Sequence, residues 1–194
     1  MSTRDPRSAH PGLLHAACNL HERVFATVTA RLHGWFIGLG ARALFVAVLL
    51  PYYINSALTK PGDGVLGIFA PAAGAFAQIL PPIAEQYGYD TSAIPFVPWH
   101  LVVILGTLSE FVLPVLIALG AFTRLSALAM LGFIVVQTAV DIAFHGTAPG
   151  MLFNTRPQEL LDQRALWLFP LLVLLINGAG SVSVDAWLRR RLRA

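Results

Sequence analysis

The chain has 194 residues, of which 56% are apolar and only 12% are charged. Soluble domains average about 25% charged residues, so this composition excludes an ordinary soluble protein and indicates an integral membrane protein. The formal charge of +3 comes from arginine, and the single cysteine, Cys18, excludes an internal disulfide or a thiolate metal cluster within this chain.

An amphipathic helix is predicted near the N-terminus. Apolar residues recur there at steps of three and four between Leu13 and Leu32. The segment also carries Arg23 and Arg31, and basic residues beside a moderately apolar stripe favour a helix that lies on an anionic membrane surface. A helix packed on a neighbouring subunit would give the same pattern. Residues 1–34 are therefore predicted to form a polar tail and an interfacial helix.

The first membrane span is predicted at Trp35 to Leu58, because its apolar run exceeds the roughly 20 residues that cross about 30 Å of hydrocarbon. Arg42 lies about two turns inside this span. Two interpretations of it stay open, snorkelling to the headgroups and an internal salt bridge. The next apolar segment, Val65 to Leu80, is short and interrupted by glycine and proline. It is predicted to be re-entrant or interfacial.

The second span, Val97 to Ala121, carries one carboxylate, Glu110, at its centre. A charged group near the bilayer midplane costs at least about 2.5 kcal/mol, so Glu110 is expected to face other helices. Pro114 follows four residues later and has no N–H, which leaves the carbonyl of Glu110 without its helical partner. The acid and a free acceptor therefore share one turn.

The third span, Leu125 to Phe144, follows a tight connection at residues 120–124. Gln137 and Asp141 stand four residues apart and share one face of this helix, and His145 follows at its boundary.

A fourth span is predicted from Ala165 to about Gly180, with Asn177 near its end. The glycines there suit a helix terminus. Either Ser183 or Asp185 is predicted to cap a short amphipathic helix, Ala186 to Arg193.

Four spans place both chain ends on the same side of the membrane. Arginines near both termini put that side in the cytoplasm, because loops rich in arginine and lysine face inward. Residues 35–188 are thus predicted to form a four-transmembrane-helix bundle, an all-α integral membrane fold, and residues 189–194 a basic cytoplasmic tail.

Counting depth along the helices separates the polar residues into groups. Glu110 lies centrally, while Arg42 and Asn177 lie toward the inner side. An outer polar layer contains Lys60 and Asp141 together with Asn55, His100, Gln137, His145 and Arg164. This layer could form the mouth of a pocket for an anionic or quinone-like headgroup, although the pattern favours an ordinary hydrated rim of ion pairs.

Four short motifs carry a resemblance to a known family. They are Ser56-Ala57-Leu58-Thr59-Lys60, Glu110 with Leu113-Pro114, the run from Leu119 to Leu128, and Gly178-Ala179-Gly180 leading to Ser183-Val184-Asp185. Over about Gly38 to Leu188 the chain resembles the DoxX-like membrane proteins of bacteria, which are small four-helix bundles. The resemblance implies a membrane component of redox or stress-response systems, since one relative is a subunit of a thiosulfate:quinone oxidoreductase. It points to Lys60, Glu110, Arg124 and Asp185 as functional positions.

Several functional interpretations stay open. The first is a membrane subunit of a quinone-linked redox or stress-response assembly in the bacterial cytoplasmic membrane, not catalytic alone, with a quinone as ligand. The chain has no recognisable motif for haem, flavin, nucleotide or metal. The alternative is a non-enzymatic bundle that binds a small lipophilic or metal-associated ligand, or anchors a partner protein. The third pairs Glu110 with Arg42 or Asn177 as structural contacts between helices.

The candidate ligand or proton-site residues are Glu110, Lys60, Arg42, Arg124, Asp141, Asn177 and Asp185. The expected partners are the lipid bilayer, other subunits of a complex and a second copy of the chain. Nucleic acid is not an expected partner, because the arginines cluster at the termini, where they inform topology and contact with anionic lipid.

Overall fold

The computed structural model describes residues 13–32, 34–64, 66–150 and 159–193. Four helices in these ranges are long and apolar enough to cross a membrane. They are α2 (Phe36–Leu58), α5 (Leu101–Leu119), α6 (Thr123–Phe144) and α7 (Leu160–Asn177). The predicted all-α, four-span architecture is confirmed. The polar tail predicted for residues 1–12 lies outside the described residues.

Four further helices lie in the described ranges. They are α1 (Leu13–Leu32), α3 (Ala73–Ile79), α4 (Pro81–Gln86) and α8 (Val184–Leu192), together with one helical turn at Gly67–Phe69 and another at Phe96–His100 that leads into α5. The helix α1 lies within the segment where the apolar periodicity predicts one.

The four spans form a closed ring in which α2 packs on α5, α5 on α6, α6 on α7 and α7 on α2. Their shared core is apolar and contains Phe45, Leu49, Tyr53, Ile117, Ala127, Met130, Ile134, Trp167, Leu171 and Leu174. Outward-facing residues of the same helices are also apolar and stay exposed, for example Leu105, Val135 and Ile176. Apolar residues on both the inner and outer sides are what a bundle surrounded by lipid requires.

The segment predicted as re-entrant or interfacial does not cross the bundle. Its helix α3 is too short to span a bilayer. Phe76 and Ala75 pack with Ala84, Ile94 and Val103 in a second core beside the start of α5. This α3–α4 hairpin therefore covers the end of the bundle that holds Lys60, called the Lys60 end below.

The fourth span differs from its predicted bounds at both ends. It begins at Leu160, more than one turn before Ala165, because Arg164 is paired with Asp141 at 2.7 Å and so lies inside the helix rather than in a loop. It ends at Asn177 because Gly178 adopts a φ of +77°, a left-handed value that glycine tolerates and a helix cannot continue.

At the opposite end of the bundle, which carries α1 and α8, Asp185 ties α8 to α6. Its carboxylate accepts hydrogen bonds from the backbone N–H of Phe122 (2.8 Å) and of Thr123 (2.9 Å), and from the Thr123 hydroxyl (2.7 Å). Asp185 thus caps the start of α6, although it belongs to α8. The cap of α8 itself is Ser183, whose Oγ accepts from Ala186 N at 3.1 Å.

The Asp185→Asn variant is expected to lose about 1 kcal/mol of unfolding free energy at neutral pH, because both carboxylate oxygens accept hydrogen bonds and an amide has only one acceptor oxygen. Burial raises the pKa of Asp185, but the hydrogen bonds from Thr123 and Phe122 outweigh it and hold the pKa below its ordinary range. A lowered pKa stabilises the fold above the unfolded value of about 3.9 and stops doing so as pH falls through the folded value.

Denaturant titrations of wild type and Asp185→Asn in detergent, at neutral pH and near pH 3, measure this contribution. The stability gap is expected to shrink at the lower pH. A gap that stays the same at both pH values would contradict an ionised cap.

Candidate functional site

The best-defined polar site lies between α2 and α5, where Lys60 and Glu110 form an ion pair. Lys60 Nζ lies 2.6 Å from Glu110 Oε2, and the two side chains are only 1% and 6% exposed. Lys60 Nζ also donates to the carbonyl oxygen and to the hydroxyl of Ser56, at 3.0 and 2.8 Å. The three hydrogens of the ammonium group therefore each have an acceptor.

The local backbone explains how Lys60 reaches Glu110. Lys60 follows the last turn of α2, and its carbonyl oxygen accepts a hydrogen bond from Ala72 N at 3.0 Å, which holds its main chain at the Lys60 end. Side chains near a helix end tilt toward the helix N-terminus, so the lysine folds back over Ser56 into the bundle. Lys60, predicted in the outer polar layer, and Glu110, predicted at the centre of the membrane, are thus joined by one contact.

A cavity of about 340 Å³ adjoins this ion pair. It lies among α2, α3, α5 and α6, and its lining combines polar and apolar residues: Tyr52, Ser56, Lys60, Gln78, Ile79, Gly106, Glu110, Phe133, Val136, Gln137, Val140, Asp141 and His145. Small-molecule sites usually measure about 300–1,000 Å³ and carry a few polar groups on an apolar lining. Both the volume and the composition of this cavity fit that description.

Two tyrosines fix the amide of Gln137 in the cavity wall. Tyr53 Oη donates to Gln137 Oε1 at 3.0 Å, and Gln137 Nε2 donates to Tyr52 Oη at 3.0 Å. The chain of bonds orients the Tyr52 hydroxyl, which lines the cavity together with Gln137. A ligand in the cavity would therefore meet prearranged hydrogen-bonding groups.

A second ion pair stands behind the cavity wall. Arg164 donates from one terminal nitrogen to Asp141 Oδ2 at 2.7 Å, and its guanidinium lies 4.1 Å from the Trp167 ring centroid. Asp141 lines the cavity, whereas Arg164 is 6% exposed and does not. The pair neutralises the charge of Asp141, so the cavity lining carries no uncompensated carboxylate from α6.

The other predicted members of the outer layer are divided among different places. His145 Nε2 lies 3.1 Å from the carbonyl oxygen of Gln78, which links the end of α6 to α3 beside the cavity. His100 instead lies 3.2 Å from Thr91 O and packs against the Phe76 ring, in the α3–α4 hairpin. Asn55 is exposed and does not line the cavity.

Arg42 binds backbone carbonyls at the opposite end of the bundle. Its guanidinium donates to four backbone carbonyls, those of Ile117 (3.2 Å), Ala118, Ala179 (3.4 Å) and Val182 (2.6 Å). Two of these carbonyls, those of Ile117 and Ala118, belong to the last turn of α5, where a helix concentrates partial negative charge. Of the two predicted roles of Arg42, an internal salt bridge is not found among the described residues, and snorkelling to the headgroups stays a prediction.

Three more predicted site residues lie at that end, far from the cavity. Arg124 donates to Ile176 O at 3.0 Å and so caps α7, and Asn177 donates to Val173 O at 3.1 Å. Asp185 caps α6 as described above. The hypothesis that Glu110 pairs with Arg42 or Asn177 is therefore wrong, because its partner is Lys60.

Sequence reasoning missed Tyr52 and Ser56 as members of the site. The signal was present, because Tyr52, Ser56 and Lys60 repeat at steps of four, along one face of α2 and the turn that follows it. Gln78 carries no such signal, since it comes from the α3–α4 hairpin.

In the ranges that the structure describes, no three His, Cys, Asp or Glu side chains converge in a way that would hold a metal ion. Comparison with family models, curated proteins and solved structures gives no match to this chain. Functional assignment therefore depends on the ion pair, the cavity and the chemistry of their residues.

Proposed function

We propose that this protein binds a small, mainly apolar molecule with a hydrogen-bonding head, of the quinone class, in the cavity beside Lys60 and Glu110. The observation that carries the proposal is the buried Lys60–Glu110 pair, which lines a cavity of ligand size. A membrane protein rarely places a lysine and a glutamate among apolar helices without a functional reason.

The lining suits a quinone head in charge and in shape. Lys60 balances Glu110, and Arg164 balances Asp141, so the site favours a neutral ligand. Phe133, Val136, Val140 and Ile79 offer apolar surface for a ring, while the Tyr52 hydroxyl offers a hydrogen bond to a carbonyl oxygen.

Lys60 and Glu110 are ionisable groups beside the proposed quinone site. Reduction of a quinone to a quinol takes up two electrons and two protons. In this proposal Lys60 and Glu110 exchange protons with the bound quinone, whereas the electrons come from a partner chain that carries a redox cofactor. The chain acts in this proposal as a membrane subunit or accessory of a quinone-linked redox or stress-response system.

The resemblance to the DoxX-like proteins supports this setting, since Lys60 and Glu110 are among the positions it singles out. The proposed location is the cytoplasmic membrane of a bacterium, with the end that carries α1 and α8 in the cytoplasm. Arginines at positions 189, 190, 191 and 193 support that orientation.

A second candidate function is ligand binding without redox chemistry. The observation that favours it is the complete set of acceptors around Lys60 Nζ, which makes the ion pair stable as it stands. In that case the pair would orient a lipophilic ligand or anchor the cavity, and no proton would move.

Binding of a short-tailed benzoquinone to the protein in nanodiscs tests the proposal. We expect Glu110→Gln and Lys60→Met each to weaken binding about 10- to 100-fold, because loss of either partner leaves the other charge unpaired beside the cavity. Quenching of tryptophan fluorescence provides the readout, since the ring centroid of Trp167 lies 4.8 Å from that of Tyr52 at the cavity.

Arg190→Ala is the matched control, because it removes a charge at the far end of the bundle and should leave binding unchanged. Affinities are compared on protein whose circular dichroism and elution volume match wild type. Wild-type affinity in both Glu110→Gln and Lys60→Met, or no binding by wild type, would contradict the proposal.

A further inference from the structure

The helix α1 stands apart from the bundle. Every residue from 14 to 31 is exposed, including the apolar side chains of Leu20 (64%), Val24 (48%) and Phe25 (56%). Most of the stability of a helix in a protein comes from packing of its apolar face, which needs a surface to cover it. A surface outside the bundle must therefore cover the apolar face of α1.

The position of α1 in the fold indicates which surface covers its apolar face. α1 leads through Gly34 and Trp35 into α2, whose Gly38 lies so close to the 178–180 loop that a Cβ there would be 2.6 Å from Gly180 N. The same loop continues into α8. Two short amphipathic helices therefore leave the bundle at the same end, beside each other in the fold.

Charge at this end is strongly positive. α1 carries Arg23 and Arg31, and α8 with the residue after it carries arginines at positions 189, 190, 191 and 193. Of the acids in α1 and α8, Glu22 stands on α1 and Asp185 is engaged in capping α6. A surface that complements this end must be anionic.

Aromatic residues indicate where that surface lies. Trp35 is 40% exposed and Trp187 is 52% exposed, one at the junction of α1 with α2 and one on α8. Tryptophan is enriched at the headgroup level of membranes, where its ring is half in the apolar phase.

A cleft of about 420 Å³ between the start of α6 and α8 is a further candidate binding site at this end of the bundle. Arg124 and Arg189 line it together with Leu125, Leu188 and Leu192. Cationic groups beside apolar side chains fit a phospholipid, whose phosphate and acyl chains need both.

We infer that α1 and α8 form a basic collar, defined as residues 13–32 and 184–192, which docks on an anionic phospholipid leaflet. The apolar face of α1 enters the headgroup region, and the arginines of both helices contact lipid phosphates. The collar is independent of the ligand proposed for the cavity.

Cys18, the single cysteine, allows a direct test on the full-length protein. In a Cys18→Ala background, Ala17→Cys puts a label on the face of Leu20 and Val24, whereas Asn19→Cys puts one on the opposite face. Each variant is labelled with an environment-sensitive dye, placed in nanodiscs with or without phosphatidylglycerol, and quenched with brominated lipid.

We expect the label at position 17 to be several-fold brighter in the anionic discs than in the neutral ones. Brominated lipid in the anionic discs should quench that fluorescence. The label at position 19 should stay in water in both kinds of disc. Arg23→Gln with Arg31→Gln, or high salt, should reverse much of the gain. A label at position 17 that stays in water in both kinds of disc would overturn the inference. So would burial that appears only in discs with two copies of the protein, since the occupant would then be a second chain.

Discussion

Loss of either member of the Lys60–Glu110 pair is expected to cost about 3–5 kcal/mol of unfolding free energy, because removing one partner leaves an uncompensated charge in an apolar interior. Lys60→Met and Glu110→Leu are the single variants. The double variant Lys60→Met/Glu110→Leu should cost much less than the sum of the two, since it leaves no buried charge. Denaturant titration in detergent micelles, followed by circular dichroism, measures all three.

The size of the effect separates a buried ion pair from ordinary polar contacts between membrane helices, which average about 0.6 kcal/mol. Asn55→Ala is the control, because Asn55 is exposed on the same helix α2. Single variants that lose no more than the control, or a double variant that loses the full sum, would show that the pair is open to water and not buried.

Arg42→Met is expected to destabilise the α1/α8 end by about 2–4 kcal/mol, because buried carbonyls that lose their donor cost about 1–3 kcal/mol each. Arg42→Lys should recover little, since one ammonium nitrogen cannot replace a planar fork that bridges the end of α5 and the 179–182 segment. Thermal unfolding in detergent measures both variants.

Arg124→Met provides the comparison for Arg42. Arg124 makes one exposed hydrogen bond to Ile176 O, so its loss should cost less than about 1 kcal/mol. If Arg42→Lys were as stable as wild type, the forked contact to several carbonyls would not be what holds this end together.

The sequence was sufficient to predict the membrane fold. Apolar runs of spanning length gave four helices, and the glycines and prolines between Val65 and Leu80 correctly indicated that this segment does not cross. The start of the fourth span was predicted too late in the chain, because a pairing partner from α6 lets the charged Arg164 lie inside α7.

The candidate site was predicted only in part. Glu110 and Lys60 were both selected as site residues, but their contact was not predicted. Depth in the membrane was counted from Cα positions, which ignore how far a lysine side chain folds back along its helix. The role of Arg42 could not be predicted from residue types, because its partners are backbone carbonyls that every residue carries. The Asp185 cap joins segments more than 60 residues apart, as the separation of 63 from Phe122 shows.

A quinone held in the cavity beside Lys60 and Glu110 should remain with the protein when it is extracted gently from its own membranes. Native mass spectrometry, followed by identification of the released molecules, detects it. We expect a stoichiometric quinone in wild type that is lost in Glu110→Gln and kept in Arg190→Ala. Wild-type protein that releases only phospholipid would contradict this expectation.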